Sequence, residues 1–188
     1  MHAADNSEEG GRALRYIRAV QRERSSFLAF GYRFLAGSLA GAQIFFSAVA
    51  AQAAFPKEVA ALPQGDPART HAADLVGKML ASLDRLTLVG CALAVLCAVF
   101  LGRGGAARSY RRVVPPLIAG VLAAISAGLI TPAIHAMRAA GTTKTSAFGL
   151  LHATSAVILL AEIAALVVAV WMASKTDRSA DPYLSGPR

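Results

Sequence analysis

Charged residues along the chain fall in clusters and leave four long uncharged intervals. These are Phe34 to Pro56, Leu86 to Gly102, Val113 to Met137 and Thr145 to Ser174, the last broken only by Glu162. Each is close to the roughly 20 residues that cross hydrocarbon at about 1.5 Å of rise per residue. Four spans are therefore expected, at 28–54, 84–102, 113–136 and 148–173. They form a membrane domain over 27–173, between a basic tail at 1–26 and a short polar tail at 174–188. The predicted fold is all-α: an integral membrane four-helix bundle.

Local signals refine this outline. Residues 1–10 are polar and read as disordered. Leu14, Ile17 and Val20 then recur at helical spacing among Arg12, Arg15, Arg18 and Arg22, a basic amphipathic pattern suited either to an anionic leaflet or to a solvated lead-in. In span one, Gly37 and Gly41 stand in GxxxG spacing beside Ala36 and Ala40, which predicts close packing on a neighbour in the same chain. Asp66-Pro67 reads as an N-cap followed by proline at the first helical position. Helix two should therefore begin near Pro67 and carry an amphipathic extension on the outer side, with Leu75, Val76, Met79, Leu80 and Leu83 opposite His71, Asp74, Lys78 and Ser82. Pro115-Pro116 is expected in the first turn of span three, where a missing N–H is tolerated. Gly120, Ala124 and Gly128 repeat the small-residue spacing, and Trp171 suits an interface.

Composition sharpens the class. Of 188 residues, 55% are hydrophobic and only 16% charged, and mean hydropathy is +0.50. Globular domains carry about a quarter charged residues. The net charge of +8 does not imply a nucleic-acid partner, because the basic residues lie between the spans and form no stripe. Twelve of the 19 Lys and Arg fall in the N-terminal tail, the second connection and the C-terminal tail. The positive-inside rule then places both termini in the cytoplasm of a plasma or inner membrane. Span one ends in Ala-rich text resembling a signal-cleavage site, but its apolar stretch exceeds the roughly 7–15 residues of a secretory core, so retention is expected. Cys91 and Cys97, six apart in span two, imply neither a disulfide nor a zinc framework. No GxGxxG, P-loop, GxSxG or HExxH pattern is present, so a conventional soluble-type enzyme site is not expected.

The order of these segments carries a resemblance. Span one closes on Phe55-Pro56, MLASLDRLTLVG opens helix two, ITPAIHAMRAAG ends span three and FGLLHATSAVILL opens span four. Over about residues 28–173 the chain resembles the transmembrane protein 205-like membrane domain, with Pro132 and His152 the most specific matches. That resemblance implies a small four-span fold and no defined activity. More loosely, the layout is similar to copper-resistance membrane domains and to haem-containing four-helix protoporphyrinogen oxidases, whose ligand motifs the chain lacks. Asp84 stands where some members carry a histidine.

Two groups of residues could carry chemistry. Glu162 sits near the middle of span four, where a charge costs roughly 2.5–3.5 kcal/mol. Counted from the cytoplasmic ends, Gln43 and Glu162 both lie about 14 Å deep and should meet. Such a pair suits a proton or cation site; the alternative is a protonated Glu162 bonded to Gln43 or Ser126 as helix glue. Nearer the outer surface, Asp84, Arg85, His135 and His152 are expected to gather with Gln52 and Thr131. His135 and His152 could hold a metal ion, or haem with Arg85 and Arg138 near its propionates; interfacial capping is the plainer role. Three functions follow: a non-enzymatic protein that binds or passes a small solute or cation, a haem or metal redox protein, and an accessory subunit. Its partners would be the lipid bilayer and, through small-residue faces, a second copy or another membrane protein.

Overall fold

The computed structural model describes residues 5–63, 65–102 and 106–178, and within these it is helical almost throughout, with no strand. Helix α1 (Asp5–Phe45) passes through a π-helical turn, Phe46–Ala50, into α2 (Ala51–Ala54). A short α3 (Lys57–Ala60) precedes α4 (Pro67–Leu101). Helix α5 (Ala106–Ile125) passes through a second π-turn, Ser126–Ile130, into α6 (Thr131–Ala139), and α7 (Ser146–Arg178) completes the chain. Four helical stretches are long and apolar enough to cross a membrane: Ala19–Ala54, Pro67–Leu101, Tyr110–Ala139 and Ser146–Lys175. In space α1 packs on α4, α4 on α5, α5 on α7 and α7 back on α1. The ring closes in sequence order, as short connections between antiparallel neighbours require.

The start of α4 follows its local chemistry. Asp66 Oδ1 accepts a hydrogen bond from the Ala68 N–H at 2.8 Å, and Pro67 occupies the first turn. Helix α6 ends at a left-handed Gly141, φ 70°, with the Gly141 N–H on the Arg138 carbonyl and the Thr142 N–H on the Met137 carbonyl. This is the glycine-terminated reversal that satisfies a helix's last carbonyls.

Three expectations are corrected. The N-terminal residues from Asp5 onward belong to α1, which runs unbroken into the first span. Residues 1–4, 103–105 and 179–188 lie outside the described residues, so the reading of the second connection and the last tail falls partly there. Pro115 and Pro116 lie inside α5, not in its first turn, because the helix starts nine residues earlier in the basic segment. Pro116 cannot donate to the carbonyl four residues back, that of Arg112. The Tyr32 hydroxyl donates to it instead at 2.7 Å from α1. Finally, Gly41 faces open space, and Gly37 only reaches Val170 at 4.0 Å. The contact face of α1 is the adjacent one, with Ala36, Leu39 and Ala40 buried.

Inside and outside are inverted relative to a water-soluble protein. Phe27, Phe34, Phe45, Leu93, Leu117, Leu160 and Trp171 are exposed, while the packed interior is largely alanine: Ala36, Ala94, Ala98, Ala119, Ala169 and Ala173. Small residues let helix backbones approach where lipid is as apolar as leucine. The tightest fit is Leu39 over Gly90, where an added Cβ would stand 2.7 Å from a leucine methyl.

Candidate functional site

The alanine-lined interior stops one turn past Leu39. There every span contributes a polar side chain to one buried group: Gln43 from α1, Asp84 and Thr87 from α4, Ser126 and Thr131 from the second π-turn and α6, and Glu162 from α7. Gln43 is fully buried, Asp84 is 2% exposed and Glu162 1%. The Gln43 Nε2 donates to Glu162 Oε2 at 2.6 Å and to Thr87 Oγ1 at 3.1 Å. Ser126 Oγ donates to Asp84 Oδ2 at 3.1 Å.

The two carboxylates are close enough to interact electrostatically. Among the described residues, neither has a cationic partner; the bonded groups are an amide and hydroxyls. Two oxygens are buried without any hydrogen bond, Gln43 Oε1 and Thr131 Oγ1. Each such group forfeits about 1–3 kcal/mol of solvation. The arrangement is two buried carboxyl groups held by an amide and hydroxyls, with no cation facing them among the described residues.

Backbone irregularity clusters at the same level. One π-turn opens three residues after Gln43, and the other opens on Ser126 itself. The second has a local cause, since Pro132 has no N–H for the Gly128 carbonyl. The Thr131 N–H bonds to the Ser126 carbonyl five residues back. Single π-turns are frequent at functional sites.

The structure thus brings Gln43 and Glu162 together at one depth, and gives Ser126 to Asp84. Of the expected outer group it brings Thr131 to Asp84 and leaves Gln52, Arg85 and His152 exposed. Asp84 points into the interior, whereas Arg85, one residue on, is exposed. His135 lies over Gly77, its ring 3.1 Å from where a Cβ would stand, and Arg138 beside it donates to the Ala73 carbonyl at 3.0 Å. These contacts hold α6 to the first turns of α4. His152 is exposed and stacks on Phe148 of its own helix at 6.3 Å between centroids. Gln52, His71 and Asp74 are exposed. A haem or metal ion at His135 and His152 gains no further donors, because no group of three His, Cys, Asp or Glu with metal-holding geometry occurs among the described residues. Both cysteines are free. Sequence reasoning missed Thr87, although its position three residues after Asp84 places it on the same helix face.

Four membrane-length helices around a buried acidic centre define an integral membrane protein of all-α type. Residues 34–143, more than half of the chain, match the family described as a domain of unknown function, DUF4149, and the chain belongs to that family. The matched stretch includes Gln43, Asp84, Thr87, Ser126 and Thr131 and ends before α7, which carries Glu162. No curated protein and no solved structure matches the chain.

Proposed function

We propose that this protein binds a proton or small cation at the Gln43–Glu162 centre and passes it through the membrane interior. The observation that carries this reading is a carboxylate 1% exposed within a membrane-length helix whose direct hydrogen-bond partner is a neutral amide. A carboxyl group so placed is costly, and ionisable groups within membrane spans mark ion pathways and proton relays. The charge pattern supports a chain with both termini on the cytoplasmic side. The likeness to transmembrane protein 205-like domains is a second description of the same four-span layout and adds no activity.

The test is flux in sealed vesicles containing purified protein, with an internal pH-sensitive dye and an imposed potential. Wild-type protein should dissipate the gradient, and Glu162→Gln should lower the rate at least tenfold. Equal flux in both would overturn the proposal.

A further inference from the structure

Asp84, Ser126 and Thr131 have no place in a centre limited to Gln43 and Glu162, yet they form a buried group next to it, Asp84 standing one turn from the Thr87 that Gln43 bonds. We propose that the oxygens of Gln43, Asp84, Ser126, Thr131 and Glu162 form one site for a monovalent alkali cation, Na⁺ being the probe. This rests on the proposed function and names its ligand.

Three observations carry it. The donor set is entirely oxygen, carboxylate, hydroxyl and amide, which suits hard cations and not those that seek imidazole or thiolate. One of its oxygens, Gln43 Oε1, belongs to a fully buried side chain and has no hydrogen bond. Thr131 lies within hydrogen-bonding reach of Asp84, and Gln43 already bridges Thr87 and Glu162. A bound cation supplies what the Gln43 carbonyl lacks, a positive centre for a lone pair. Two of the helices also make a π-turn here, an irregularity that is frequent at functional sites.

Charge balance adds a second feature. Two carboxylates facing one monovalent cation leave one negative charge, which a proton on the other carboxylate removes. Na⁺ and H⁺ therefore share the site and compete for it. The titratable groups that face it are Asp84 from α4 and Glu162 from α7, with Cys91 of α4 within electrostatic reach of Glu162; α1 and the second π-turn contribute only amide and hydroxyl groups.

The experiment is thermal unfolding of the full chain in detergent micelles, in NaCl against choline chloride at equal ionic strength. A ligand that binds only the folded state raises the midpoint with the logarithm of its concentration. Na⁺ should raise the wild-type midpoint, more at high pH than at low. The increment should disappear in Asp84→Asn and in the milder Thr131→Val, and return in Thr131→Ser. Equal midpoints in Na⁺ and choline would overturn the site, as would a Na⁺ increment that survives both substitutions. A larger increment with CaCl₂ would overturn the monovalent assignment. If Na⁺ has no effect but vesicles still show Glu162-dependent proton flux, this inference fails and the proposed function stands; if that flux is also absent, both fail.

Discussion

The interior of the protein has two ends of opposite character. Toward Tyr32, it is dry and close-packed: Ala36, Ala94, Ala98 and Ala119 are fully buried, Leu39 seats on Gly90, and the one carbonyl freed by Pro116 is met by the Tyr32 hydroxyl. Toward Thr131, the same four spans enclose two carboxyl groups, an amide and three hydroxyls, with the Gln43 Oε1 left unpaired. At the first end the carbonyl freed by proline is bonded, and at the second a fully buried amide oxygen, Gln43 Oε1, has no hydrogen bond. Close packing of small residues is what a membrane protein uses for stability, and expensive intramembrane polar groups mark its working parts. The Tyr32 end thus serves as the frame and the Thr131 end as the site.

That division can be broken most directly at the dry end. Gly90→Val would drive two methyl groups into Leu39, itself 4% exposed and without room to turn aside. Overpacking of this kind costs about 1–3 kcal/mol, so the melting midpoint in micelles should fall clearly. A midpoint unchanged from wild type would show the dry end to be slack. Next in size is Tyr32→Phe, which strands the Arg112 carbonyl and should destabilise by about 1–2 kcal/mol while sparing cation binding. Loss of binding in that variant would mean that the two ends are not separate.

Asp84→Asn sharpens the contrast from the other side. Replacing an uncompensated buried charge by a neutral group of the same shape is often neutral or stabilising, so the melting midpoint should hold or rise as Na⁺ binding disappears. A marked fall in stability would identify Asp84 as part of the frame. The smallest effect is expected at Gly41→Ala, where an added Cβ meets nothing within 4 Å. Its change in stability should stay within about 0.5 kcal/mol, and a larger loss in bilayers alone would place a neighbouring molecule on that face.

Much of the architecture was legible from residue order. Four uncharged intervals became four membrane-length helices, Asp66 and Pro67 opened α4 as their residue types require, and equal depth placed Gln43 against Glu162. The candidate site was legible only in part. Asp84 was expected beside Arg85 at the outer surface, because residue order alone does not tell which way a helical side chain points; it is buried and bonded to Ser126. The GxxxG glycines were assigned to a helix contact that Ala36 and Ala40 make instead. Proline at the start of an apolar interval suggested a helix start, but the basic residues before it continue the same helix.

By itself, then, the sequence determined that four segments are apolar helices of membrane length and that Gln43 and Glu162 stand at one level. These depend on hydropathy and rise per residue, properties local to each segment. Which side of each helix faces the interior was decided only by the tertiary structure. One residue is about 100° of rotation on a helix, so the difference between Asp84 inside and Arg85 outside is a single step. That rotation is set by the fit of Leu39 on Gly90, Cys91 against Gly120 and Tyr32 on the Arg112 carbonyl, contacts between residues that are distant along the chain.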